Sequence, residues 1–101
     1  MWGIIATWRM AHDGVLAAKK MLEAEAFAGD AMETAIKSVE DYPFYKSVGY
    51  GGLPNENGVL EMDAAYMDGD TFAIGAVAGI TDVANPISVA RKLSHDKFNS
   101  F

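Results

Sequence analysis

Apolar and polar positions along this chain change period several times, and each change marks an element. The first run, Gly3-Ile4-Ile5-Ala6-Thr7-Trp8, is short, apolar and rich in β-branched residues, which predicts a buried strand ending near Trp8. From Asp13 the apolar positions Val15, Ala18, Met21 and Leu22 recur at helical spacing, while Lys19, Lys20 and Glu23 form a wet face. A helix over 13–26 is predicted, with Asp13 able to cap it. Gly29 reads as its stop, and Asp30 with Glu33 three residues later reads as a capping-box pair opening a second helix. Met32, Ala35, Ile36 and Val39 are that helix's buried stripe, and Pro43 bounds it.

Four glycines, Gly49, Gly51, Gly52 and Gly58, then fall within 47–58 together with Pro54 and Asn55, which predicts a long loop. Across 59–67 the period becomes two: Leu60, Met62, Ala64 and Tyr66 alternate with Glu61 and Asp63, as in a strand with one polar edge. Asp68-Gly69-Asp70 signals a hairpin. The next strand, Phe72 to Ile80, is apolar throughout and reads as buried on both faces, with Gly75, Ala76, Ala78 and Gly79 small enough for another layer to approach. Asn85-Pro86 gives an N-cap and a first-turn proline, and Ile87, Ala90 and Leu93 are the inward stripe of a third helix running to about Asp96. The order strand, helix, helix, loop, strand, strand, helix predicts an α+β or layered arrangement and no βαβ repeat.

Composition narrows the partners. The chain has 101 residues, half of them hydrophobic, which is the size and apolar content of one domain or part of one. So short a chain leaves much surface exposed when it folds alone, so the apolar stretch at 72–80 predicts a partner surface. With 8 basic and 14 acidic residues the net charge is −6 and the basic residues are scattered, so nucleic acid and anionic membranes are not expected partners. No apolar run approaches the ~20 residues of a membrane span, and no signal peptide is visible. The absence of cysteine excludes a disulfide framework, and His12 and His95 are too far apart in sequence to suggest zinc. A cytoplasmic protein without cofactor or metal is the expectation.

Candidate chemistry is sparse. The loop Ser47-Val48-Gly49-Tyr50-Gly51-Gly52-Leu53-Pro54 lacks a Gly-Lys-Ser/Thr ending and follows a helix, so it reads as a turn and not as a phosphate cradle. Trp8 beside Arg9 at a strand end suits a substrate wall, and equally a packed indole with a solvated guanidinium. Asp70-Thr71 looks like the cleavage point of a self-processing amidohydrolase, but its place in a predicted hairpin turn makes it a decoy. Glu61 and Asp63 read as an ordinary surface pair, and no Ser/His/Asp triad is assigned.

Taken together, Ile5-Ala6-Thr7-Trp8, Gly29-Asp30-Ala31, Val39-Glu40-Asp41, Ser47-Val48-Gly49-Tyr50-Gly51-Gly52, Leu60-Glu61-Met62-Asp63-Ala64 with Met67-Asp68, Gly75-Ala76-Val77-Ala78 and Asn85-Pro86-Ile87-Ser88-Val89-Ala90-Arg91 resemble the start of the glycosylasparaginases. These form the aspartylglucosaminidase branch of the family that also holds plant-type asparaginases and isoaspartyl peptidases. The resemblance implies part of a four-layer αββα sandwich, made from one precursor that cleaves itself. Cleavage exposes a threonine whose own amine is the base and whose hydroxyl attacks the β-amide carbon of an asparagine derivative. That threonine, and the residues holding the substrate's α-carboxylate and α-amine, belong to a second (beta) chain.

Carried over by position, Trp8 matches the family's substrate-pocket tryptophan and Ser47 a serine lining the same pocket, whereas Met10 stands where some members have an aromatic. Thr7-Trp8 favours the glycosylasparaginase branch, because plant-type enzymes usually begin with a His-Gly-Gly stretch and carry an Asn-Ala-Gly sodium loop. Gly49-Tyr50-Gly51-Gly52 replaces that loop here, so no sodium site is expected. The family's first chain normally continues past a point like Phe101, and the implied protein is an alpha-chain portion, inactive alone and completed by its own beta chain in an (alpha-beta)2 assembly. The implied substrate is N4-(β-N-acetylglucosaminyl)-L-asparagine; the alternatives are plant-type asparaginase or isoaspartyl peptidase activity, or a non-catalytic module with the same half-fold.

Overall fold

The computed structural model describes residues 1–96. Three helices, α1 (His12–Glu23), α2 (Ala28–Glu40) and α3 (Pro86–Ser94), accompany one antiparallel hairpin of β1 (Met62–Met67) and β2 (Ile74–Ile80). The molecule measures 46 × 34 × 18 Å. Its thinnest dimension suits a helical layer on a sheet layer, since packed layers lie about 10 Å apart. The mixed α+β class predicted from the sequence holds.

Small residues set the helix pair. Ala18 of α1 packs against Ala31 and Ala35 of α2, with Ile4, Met21 and Leu22 around them. Gly14 is buried at the closest approach, where a Cβ would run into the carbonyl oxygen of Ala35 and the Ser38 hydroxyl. The second core joins Tyr66 of β1 to Ile87 and Ala90 of α3, with Ile36 of α2 and Ala64 at its edge. This places α3 across one face of the hairpin, the face of Met62, Ala64 and Tyr66.

The strand ladder pairs Tyr66 with Gly75 and Ala64 with Val77, and slips at Met62/Ala64. Asp63 stands at that irregularity, and its carboxylate accepts the Gly79 N–H at 2.7 Å. An aspartate that looked like half of a surface carboxylate pair is therefore fastening a bulge. Asp68 N–H donates to the Ala73 carbonyl (2.9 Å) and the Asp68 side chain accepts the Asp70 N–H (2.8 Å), closing the predicted turn.

Several boundaries differ from expectation, each for a local reason. Residues 3–8 form no strand; they run without ladder partners, and most are exposed. A strand exists only through hydrogen bonds to a neighbour, which an apolar run cannot supply for itself. Helix α1 stops at Glu23 because Glu25 takes a left-handed φ of 63°, with Ala26 N–H donating to the Met21 carbonyl (2.9 Å) and Glu25 N–H to that of Leu22 (3.0 Å). That is a Schellman ending built without glycine.

Gly29 accordingly lies inside the first turn of α2, not between helices, and Phe27 precedes that helix without a side-chain cap. Asp13 likewise sits in the first turn of α1 and caps nothing, and Asn85 does not cap α3 although Pro86 opens it as predicted. Strand β2 begins at Ile74 because Phe72 adopts φ 58° in the turn. Nor is β2 buried on both faces: Gly75 and Ala76 are buried, whereas Ile74, Ala78 and Gly79 are exposed.

Candidate functional site

An open cleft of about 730 Å³ lies between the extended segment 2–8, one side of α2 and the end of β1. Ile4, Ile5 and Trp8 line it on one side, Ala35, Ile36 and Val39 form its floor, and Tyr66, Met67 and Asp68 line the other. Its walls are mostly apolar. Its size falls within the range of small-molecule pockets, but among the described residues its lining holds no Lys or Arg to pair with the carboxylate of an amino-acid substrate.

Trp8 lies in this cleft and is 70 % exposed. Its carbonyl accepts the Ala11 N–H at 3.0 Å, starting the 3-10 turn Arg9–Ala11 that leads into α1, so the indole stands where the extended segment ends. Ser47 is exposed and adjoins Val48; among the described residues Val48 lines the cleft and Ser47 does not. The structure therefore places Trp8 in the cleft and leaves Ser47 outside its lining.

Two polar assemblies tie α2 to α3, and sequence reasoning had seen neither. At the amino-terminal end of α2, Arg91 of α3 donates to Glu33 (Nη1 to Oε2, 2.6 Å) and pairs with Asp30 (2.7 Å), and its guanidinium lies over the rings of Phe27 (5.8 Å) and Tyr66 (5.6 Å). Ser88 Oγ donates to the other Glu33 oxygen at 2.5 Å. The Ser88 hydrogen bond and then the Arg91 guanidinium hold the Glu33 carboxyl below its ordinary value, against an opposing effect of burial, and Glu33 with Asp30 raises that of Arg91. The acidic pair that read as a capping box is the counter-charge of an arginine 58 residues from Glu33.

At the other end, Glu40 is 2 % exposed and accepts the Ile87 N–H (3.2 Å) and Asn85 Nδ2 (3.3 Å). Asn85 Nδ2 also donates to Asp41 at 2.8 Å. Burial pushes the Glu40 carboxyl up, and the two donors only partly offset it. The motif Val39-Glu40-Asp41 had stood out only as part of the family resemblance.

Thr71, in the decoy pair, accepts the Ala73 N–H (3.2 Å) within the hairpin turn, as befits a turn residue. Among the described residues no group of three His, Cys, Asp or Glu side chains could hold a metal, and no helix is long and apolar enough to cross a membrane.

The family profile described as asparaginase matches residues 6–99, so the chain belongs to the asparaginase family. An N4-(β-N-acetylglucosaminyl)-L-asparaginase of Elizabethkingia miricola is 41 % identical over 88 residues, 87 % of this chain and 26 % of the relative. A plant-type L-asparaginase of Pyrococcus abyssi is 51 % identical over 82 residues, 81 % of this chain and 26 % of the relative. An isoaspartyl peptidase/L-asparaginase of Mus musculus is 43 % identical over 72 residues, 71 % of this chain and 22 % of the relative. The chain therefore spans about a quarter of the length of the curated relatives it matches.

Proposed function

We propose that this chain is the amino-terminal, non-nucleophile portion of a threonine-nucleophile amidohydrolase, a single unit that a second chain completes into an αββα sandwich. The observation that carries the reading is the family match, which runs over nearly the whole of this chain but only about a quarter of its relatives. The physical chemistry agrees. Helix α3 covers one face of the hairpin, while Ala65, Met67 and Ala78 leave an exposed apolar surface suited to a second sheet. The cleft between segment 2–8 and β1 has apolar walls suited to a further strand.

In the completed protein the new terminal threonine attacks the side-chain amide carbon through its hydroxyl, its own amine taking the proton and passing it to the departing nitrogen. Water then releases aspartate from the ester. This chain's part is passive: Trp8 forms a wall against the amide substituent and Ser47 lines the pocket edge. The substrate is N4-(β-N-acetylglucosaminyl)-L-asparagine, a reading that rests on Thr7-Trp8 and Gly49-Tyr50-Gly51-Gly52. Self-cleavage of a precursor, an (alpha-beta)2 assembly and a cytoplasmic location complete it, the last suited to a chain without cysteine.

The higher identity to the Pyrococcus abyssi plant-type enzyme favours a second reading, hydrolysis of L-asparagine or of β-aspartyl peptides. Offering the complete protein the glycosylated asparagine, L-asparagine and a β-aspartyl dipeptide, with aspartate release as the readout, separates these. The glycosylated substrate should give the highest kcat/KM. Preference for either of the others would move the protein to the second reading, and no release from any would make it a non-catalytic module.

A further inference from the structure

Glu40 occupies an unfavourable place for a carboxylate. It is buried at the carboxyl end of α2, where the helix dipole presents partial negative charge. Compensation comes from a different helix. The N–H of Ile87, the second residue of α3, is one of the first-turn donors that no intrahelical carbonyl can satisfy, and Glu40 Oε2 accepts it. Asn85, the residue before α3, turns its amide onto Glu40 and Asp41 and leaves its own helix uncapped. A glutamate of α2 thus caps α3.

The backbone of the same residue bears a second load. Gly49 has φ 62°, and a Cβ there would strike the carbonyl carbon, carbonyl oxygen and Cα of Glu40. Gly49 opens the 3-10 turn Gly49–Gly51 directly after Ser47 and Val48, and Val48 lines the cleft. The Glu40 side chain therefore fixes the end of α2 to α3, and its main chain is the seat on which the glycine loop rests.

We propose that Glu40 is a positioning residue for the reaction: by locking α2 to the start of α3 it sets the seat of Gly49, and through it the placement of Ser47 and Val48 at the pocket edge. This rests on the reading of Ser47 as a pocket residue. The groups facing the carboxyl are Asp41 and Lys37 from its own helix and the neutral Asn85 amide and Ile87 N–H from α3. Burial and Asp41 favour its protonated form, Lys37 and the two donors its charged form, with burial the largest influence. The lock accordingly changes charge above the usual carboxylate range.

The test uses the complete protein with Glu40→Gln and Glu40→Ala, and Glu23→Gln as an exposed control. Glu40→Ala should raise KM about tenfold with a smaller change in kcat, Glu40→Gln should restore part of the loss, and the control should match wild type; angstrom-scale misplacement costs up to about 100-fold. Hydrogen exchange at Gly49–Gly52 should accelerate about tenfold in Glu40→Ala while the β1–β2 amides stay unchanged. Unchanged KM and unchanged loop exchange, or acceleration spread evenly over the protein, would overturn the proposal.

Should the variants fail to fold, wild-type loop exchange between about pH 4 and 7 decides, after correction for intrinsic rates. A change in protection centred above the ordinary carboxylate range supports the lock, and a flat profile refutes it. If the complete protein releases aspartate from no substrate, the functional reading falls, and loop exchange still judges Glu40.

Discussion

The two ends of α2 are fastened to α3 by carboxylates in opposite surroundings. Glu33 accepts from a hydroxyl and a guanidinium and is held below its ordinary value, whereas the more deeply buried Glu40 accepts hydrogen bonds only from neutral donors, with Lys37 a minor influence, and is pushed above it. Both accept good hydrogen bonds, and both join the same pair of helices. The difference teaches that depth of burial, set against short hydrogen bonds and a nearby cation, decides whether a carboxylate is comfortable with its charge.

Removing that cation is the severest way to break the comparison. Arg91→Met leaves Glu33 and Asp30 facing each other without counter-charge and should cost about 2–3 kcal/mol, discounted from fully buried pairs because Asp30 is half exposed. The denaturant midpoint of the complete protein should fall accordingly, with Arg91→Lys falling less. Neutralising the two carboxylates should then give unequal results. Glu33→Gln should cost about 1–2 kcal/mol, because a charge-assisted bond to Arg91 becomes an ordinary one. Glu40→Gln should change stability at pH 7 by less than about 1 kcal/mol, because the lost charge was itself paying a desolvation penalty. Equal losses in the two variants would erase the distinction.

The pH dependence has opposite signs at the two ends. Glu33, depressed in the folded state, contributes stability that is present above its unfolded value and lost as pH falls through its lower folded value. Glu40, raised on folding, contributes stability that is present below its unfolded value and lost as pH rises through its folded value. Stability profiles of Glu33→Gln and Glu40→Gln relative to wild type should therefore diverge from pH 3 to about pH 6 in opposite directions. The smallest effect on stability is expected away from both ends. Trp8→Ala removes a side chain that is 70 % exposed, so stability should move by less than about 0.5 kcal/mol while KM for the glycosylated asparagine rises several-fold.

What the sequence made legible follows from what acts locally. Alternation in 59–67 and the Asp68-Gly69-Asp70 signal located the hairpin, and the stripes Ala35/Val39 and Ile87/Ala90 located two helix faces, because such periodicities are written in neighbouring residues. Segment 3–8 shows the limit: its residues favour a strand, but a strand needs a ladder partner. The Asp30/Glu33 spacing satisfied a local motif while serving a distant arginine, and Glu40 stood out only as part of the family resemblance. Both belong to contacts across more than forty residues, which composition and spacing do not encode. The candidate site rests on family resemblance and not on chemistry, since Trp8 and Ser47 carry no catalytic signature of their own.

Central to the account is that the nucleophile lies on a second chain and that this one shapes the pocket around it. Intact-mass analysis of the purified complete protein, alongside an aspartate-release assay, tests this most directly. Two polypeptides are predicted, the second beginning with threonine, with release abolished when that threonine is replaced by alanine and undetectable for the 101-residue chain alone. A single uncut polypeptide that releases aspartate, or turnover by the 101-residue chain itself, would contradict it.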